Sequence, residues 1–382
     1  MNKYFQKITA STFYKRIRHF LDFKPYLDGT PYWVSATIVG VVAVMYSAAF
    51  TFCIDIANKI YDLNPHFLFI SSPIFFFLSV WVVHKWSPAA AGTGVPTVIG
   101  ALALDYIVDQ KKINYLLNLR VVLVVVVSSL LCVLGAGSLG REGPMVHIAA
   151  CIFYLIGRQF ARLRPTEDHR SWIIAGGAAG VSAAFNAPLA GVVFVLEELA
   201  HQHFHRFKNV VISAAIIAGV ASHWLSGRYL YFGFPKLGPV PITSVFWALL
   251  VGLACGVAAY PFNRILKINW HEITKRYLKS RLFFAAFSGL LIAILVNFVN
   301  RGVIGGGTSV VKDILINGEP ASWSLIFGRI FGTTISNLSG AAGGFLAPAL
   351  ALGAAIGSKI ATVFSYPNPN LLVLAGMSAF LS

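Results

Sequence analysis

The chain has 382 residues, 57% hydrophobic and only 12% charged, with 30 Lys and Arg against 14 Asp and Glu and a mean hydropathy of +0.72. The charged share is about half that of an average soluble domain, and the apolar residues come as many separate long runs, which excludes one large soluble core. The net charge of +16 does not describe a nucleic-acid surface either: the basic residues cluster between apolar runs and form no groove-sized patch interleaved with aromatics.

The first 28 residues carry no apolar signal core and no small-residue cleavage site, so they are not a signal peptide. Phe5, Ile8, Phe13, Ile17 and Leu21 recur at helical spacing among Lys and Arg, which predicts an amphipathic helix over residues 1–30 lying on the cytoplasmic face. Runs long and apolar enough to span a bilayer then follow at 33–58, 67–83, 116–134, 210–225, 245–266 and 282–299. Basic clusters fall at 3–24, 111–120, 158–170, 206–208 and 264–281, while 228–244 is poor in charge. By the positive-inside rule the basic loops and the N-terminus are cytoplasmic, and the same residues suit anionic headgroups. Cys53, Cys132, Cys151 and Cys255 are scattered inside apolar runs without CxxC spacing; they read as small buried hydrophobes, with no disulfide or metal site. The predicted fold class is all-α: one polytopic membrane domain over 31–382, made of many tilted and broken helices.

That domain contains an internal echo. The first half has Gly92-Thr93-Gly94-Val95-Pro96, then Gly137-Ser138-Leu139-Gly140-Arg141-Glu142-Gly143-Pro144 opening an apolar helix. The second half has Gly305-Gly306-Gly307-Thr308-Ser309, then Gly340-Ala341-Ala342-Gly343-Gly344-Phe345-Leu346-Ala347-Pro348, again opening an apolar helix. Matched Gly/Pro-interrupted segments in two halves point to a transporter built on two inverted-topology repeats, about 31–226 and 245–382, with its site where the broken helices meet. Pro188 follows Pro144 by 44 residues (188 minus 144), and the same step after Pro348 passes Ser382. The second repeat is therefore expected to be incomplete, its C-terminal helices missing from a shortened chain. Proline suits the first turn of a helix, so Pro96, Pro144, Pro188 and Pro348 mark helix starts. A start inside the membrane leaves unpaired N–H groups and a partial positive charge, which a dehydrated anion satisfies without being held too tightly to leave. Gly135-x-Gly137-x-x-Gly140 also matches a dinucleotide fingerprint, but the run before it is too long for a strand and no acid follows near 20 positions on.

Acids inside apolar runs are functional candidates, since a carboxylate at the bilayer centre costs at least about 2.5 kcal/mol. Glu142 opens a helix just before Pro144, where its carboxylate competes with an anion for the same N–H groups and protonation releases it. A fixed N-terminal cap, or a pair with Arg141, accounts for it equally well on chemistry alone. Glu197 and Glu198 end the run from Pro188 just before His201, His203 and His205. Side by side in low dielectric they hinder each other's ionisation, which leaves one able to carry a proton; an interfacial acid paired with Arg206 or Lys208 is the other reading. Glu198-x-x-His201 resembles half a di-iron site, but the matching Glu-x-x-His is absent, because position 275 after Glu272 is Lys.

At these residues the sequence resembles the CLC family of chloride channels and chloride/proton antiporters. Gly140-Arg141-Glu142-Gly143-Pro144 is similar to the family's gating-glutamate motif, and Phe185-Asn186-Ala187-Pro188-Leu189-Ala190-Gly191 through Glu198 resembles the stretch ending in its internal proton glutamate. Gly344-Phe345-Leu346-Ala347-Pro348 resembles the segment whose amides hold the central anion, and Gly92-Thr93-Gly94-Val95-Pro96 the motif whose hydroxyl coordinates it. The resemblance implies proton-coupled chloride antiport, with Glu142 as external gate and Glu198 as internal proton-transfer acid. It implies anion ligands at Thr93, Gly94, Gly143, Phe345, Leu346 and Ala347, supported by Arg141, Pro144 and Glu197. It further implies a homodimer in lipid, with chloride and protons as the moving species, no cofactor, no metal and no nucleic-acid partner. A prokaryotic-type protein of the bacterial inner membrane, without cytoplasmic regulatory domains, fits best. Thr93 stands where the family usually has serine, keeping the hydroxyl and adding a methyl; Leu346 replaces a usual phenylalanine and removes bulk from a steric gate. The alternatives are an uncoupled voltage- or pH-gated chloride channel and, from another class, a membrane metal-binding enzyme. No nucleophile–base pair or metal cluster in the runs supports an enzyme.

Overall fold

Hydrocarbon offers no partner to a backbone polar group, so the apolar runs must close their hydrogen bonds internally. In the computed structural model they do so as helices; residues 24–161, 168–199, 204–227, 231–238, 240–266 and 278–382 are described. Most of the expected N-terminal amphipathic helix, together with His201 and His203, lies outside them.

In chain order the helices are α1 (Lys24–Leu63), α2 (Leu68–Trp86), α3 (Val95–Ala103), α4 (Gln110–Leu116), α5 (Leu119–Leu134), α6 (Glu142–Ala161), α7 (His169–Phe185), α8 (Pro188–Phe194) and α9 (Phe204–Ser226). After them come α10 (Ser244–Leu266), α11 (Leu278–Phe298), α12 (Thr308–Leu315), α13 (Trp323–Leu338), α14 (Leu346–Val363) and α15 (Pro369–Leu381). Each of the six apolar runs read from the sequence falls on one of these helices. Among the described residues, seven helical stretches are long and apolar enough to cross a membrane, the seventh being Leu346–Val363. The chain is an integral membrane protein. α1 begins earlier than its apolar run and continues through Pro31.

Two apolar cores flank the centre. One is built by α1, α5, α6 and α7 around Phe153, Tyr154 and Trp172. The other is built by α10 and α12 to α15 around Phe262, Leu352 and Leu372. Lipid tails are as apolar as leucine, so helices associate through close packing of small residues. Thus Gly176 and Gly180 of α7 lie against the backbone of α6, and Gly353 and Gly357 of α14 against that of α15.

Described residues of the basic stretches 111–120 and 158–170 lie together. Tyr154 and Arg158, near the end of α6, both donate to Asn114 Oδ1 of α4 at 2.9 and 3.1 Å. His169, at the start of α7, stacks on Tyr106 with centroids 3.3 Å apart. Tyr32 near the start of α1 stacks on Trp172 at 3.7 Å. Glu142 stands at the opposite end of α6 from Arg158.

Candidate functional site

Four helices, α3, α6, α12 and α14, start against one another, and backbone hydrogen bonds between their lead-in loops hold them there. Gly92 N donates to Ala341 O at 3.1 Å and Gly343 N to Gly92 O at 3.0 Å, which ties the loop before α3 to the loop before α14. Gly140 and Gly344 exchange bonds of 2.7 and 2.8 Å, tying in α6, and Gly305 N donates to Gly137 O at 3.0 Å, tying in the loop before α12. Side-chain hydroxyls brace the same loops: Ser128 Oγ accepts from Ala342 N at 3.0 Å, and Ser336 Oγ from Ser138 N at 3.0 Å.

Glycine is required where these loops touch. A Cβ on Gly143 would stand 2.6 Å from Thr93 O and 3.1 Å from Gly344 Cα, both fixed backbone. Gly143→Ala is therefore expected to cost about 1–3 kcal/mol by overpacking. A fall in melting temperature in detergent checks this, and an unchanged melt would mean the loops are not in contact. Gly94 takes φ 80°, a left-handed conformation that L side chains resist, and its Cβ would meet His147 Cβ at 2.6 Å.

The first N–H groups of a helix need partners, and here the helices divide in two. α5, α7 and α13 are capped by the side chains of Asn118, Asp168 and Ser322. α3, α12 and α14 begin at Gly94, Gly307 and Phe345 with no side-chain cap. α2, α4, α8 and α15 also start without a side-chain cap, but α3, α12 and α14 are the ones whose starts converge. Their N–H groups and dipoles present positive potential to a shared space, a ready place for an anion.

Glu142 is fully buried beside them. Its Oε1 accepts a hydrogen bond from Tyr231 Oη and lies 4.0 Å from Arg141 Nε, while Oε2 has no hydrogen-bond partner and packs at Gly140. A cavity of about 270 Å³ opens over this carboxyl, with Asp55, Arg141, Tyr231, Thr308 and Lys312 in its wall. Below it, Arg329 of α13 is fully buried. Its guanidinium donates to Gly305 O and Ile304 O at 3.4 and 3.5 Å, holding a positive charge under the loop before α12.

Residues 75–382 match the Voltage gated chloride channel family. This chain belongs to that family. Its sequence is 30% identical over 387 residues to the H(+)/Cl(−) exchange transporter ClcA of Vibrio cholerae serotype O1, covering 93% of this chain and 79% of that protein. In fold it is similar to a slow cyanobacterial Cl−/H+ antiporter, with a TM-score of 0.77, 24% identity and coverage of 92% and 84% of the two chains. It also resembles a CLC-type fluoride/proton antiporter, with a TM-score of 0.76, 24% identity and coverage of 94% and 87%. The CLC proteins are transporters, not enzymes.

Of the residues singled out in the sequence, the structure brings Thr93, Gly94, Arg141, Glu142, Gly143, Pro144, Phe345, Leu346 and Ala347 to this one convergence. Pro144 and Pro348 lie in the first turns of α6 and α14, and Pro96 and Pro188 at the starts of α3 and α8. Glu197 and Glu198 lie apart from it, exposed, on a single π-turn (Val195–Leu199) that continues α8. All four cysteines are buried. Among the described residues, no three His, Cys, Asp or Glu side chains gather as a metal site.

Sequence reasoning passed over Arg329, Lys312 and Tyr231. Arg329 had a signal, a charge inside an apolar run, but only acids were weighed there. Tyr231 had none, since an aromatic in a connecting segment gives no hint of what it touches.

Proposed function

We propose that this CLC protein exchanges chloride for protons across the membrane, with the converging helix starts as its anion site. The observation that carries the reading is that the α3, α12 and α14 starts lack side-chain caps and meet beside the buried Glu142. Thr93 supplies a hydroxyl, and Gly94, Gly143, Phe345, Leu346 and Ala347 supply backbone N–H groups or the room for an ion to reach them. Arg141 and Arg329 add positive potential without occupying the path, so chloride is attracted and still able to leave.

Glu142 acts as gate and proton acceptor. Its carboxylate competes with chloride for the same positive pocket; once protonated it yields the pocket and carries the proton onward. Glu198, exposed on its π-turn, meets protons at the other mouth. The basic ends of α4, α6 and α7 face the cytoplasm, so the N-terminus is inside and the Glu142 cavity opens outward, in a bacterial inner membrane. The two halves, about 31–226 and 245–382, are inverted repeats. The apolar outer face of α8 and α9, with Leu189 and Trp224 81% and 82% exposed, suits a second copy in a homodimer.

Calorimetric titration of chloride onto the purified protein tests the anion site. Thr93→Val keeps the shape and removes the hydroxyl donor, so affinity should fall roughly tenfold or more. Undiminished affinity with an intact fold would place the ion elsewhere.

A further inference from the structure

Tyr231 belongs to no helix. It lies between α9 and α10, yet its side chain is buried and its phenol donates to Glu142 Oε1 across 89 residues of sequence. The ring is fixed on several sides. Phe185 lies 5.1 Å away, Phe232 packs edge-on at 4.7 Å, and the Arg141 guanidinium sits over the ring at 5.3 Å. The same hydroxyl stands 3.5 Å from Thr308 Oγ1, the first residue of α12. A donor clamped in this way holds the carboxyl at one point of the cavity wall.

We infer that Tyr231 is a positioning residue for exchange, a latch on the α9–α10 segment that retains the ionised Glu142 carboxyl and releases it on protonation. The inference rests on Glu142 being the gate. It makes the segment between α9 and α10, rather than the helices alone, a determinant of the pH at which transport runs. The other charged or titratable groups facing Glu142 are Arg141 beside it, Tyr46 and Asp55 on α1, Lys312 on α12, and Arg329 on α13 behind Gly307. Tyr231→Phe leaves all of them in place and keeps the ring stack, so it removes the hydroxyl alone.

The test is chloride flux as a function of pH in liposomes for the wild type, Tyr231→Phe, Phe232→Leu, Glu142→Gln and the Tyr231→Phe/Glu142→Gln double variant. With the donor gone, the carboxyl loses the hydrogen bond that holds it at the cavity wall. The Tyr231→Phe midpoint should therefore move up by about one pH unit, the size expected for one hydrogen bond to a charged group. Phe232→Leu loosens the packing and keeps the hydroxyl, so its midpoint should move by less than that of Tyr231→Phe, and both variants carrying Glu142→Gln should be alike and flat. An unmoved Tyr231→Phe midpoint beside a flat Glu142→Gln profile overturns the latch and leaves the gate standing. So does an equal shift in Phe232→Leu, which would assign the effect to packing. A Glu142→Gln profile that still follows pH removes the gate, and the latch with it.

Discussion

Glu142→Gln should leave chloride flux running while abolishing its pH dependence and its coupling to protons. Glutamine has the shape of the protonated acid and cannot ionise, so it never competes with chloride as a charge and never carries a proton. The carboxyl is buried against uncapped helix starts, with one oxygen held by Tyr231 and the other unpartnered, which is the setting in which a single proton changes the most. A purely structural cap, or a partner for Arg141 at 4.0 Å, would behave differently: the variant would lose stability while coupling persisted in the surviving protein. Flux and pH recordings in liposomes, beside a melting curve in detergent, separate the two.

Glu198→Gln should stop proton movement and spare chloride flux. In the proposed function the anion path runs through the convergence of α3, α6, α12 and α14, and Glu198 stands apart from that convergence on the π-turn after α8. π-turns recur at functional positions, and this one presents Glu197 and Glu198 to solvent, where protons are available. Parallel recording of chloride and pH in liposomes reads both quantities at once. Persistent coupling in Glu198→Gln would move the role to Glu197 or to a water route. An unchanged wild-type ratio in both single variants would leave the pair as interfacial acids, as an uncoupled channel would have them.

Much of the architecture was legible because lipid imposes one simple rule, that length and apolarity mark a span. Residues 116–134 and 245–266 fall on α5 and α10 nearly to the residue. The broken helices were legible for a local reason, since Pro96 and Pro188 preset the first turn wherever they stand. Hidden instead was how the breaks meet. The pairing of Gly92 with Ala342 and of Gly140 with Gly344 joins distant loops through backbone atoms alone, and a backbone contact leaves no residue-type pattern beyond glycine itself. Tyr231 was hidden for the same reason, because its meaning lies in a partner on another element. Arg329 was visible as a charge in an apolar helix, and the reasoning applied to Glu142 extends to it with the sign reversed.

The central claim is that chloride and protons move in opposite directions through one site. Liposomes containing the protein and high chloride, diluted into low-chloride medium at equal pH, measure this directly. Chloride leaving down its gradient should draw protons in, so the interior acidifies beyond the starting balance, with no such change when chloride is matched on both sides. Chloride efflux with no proton movement would contradict exchange and make the protein an uncoupled channel.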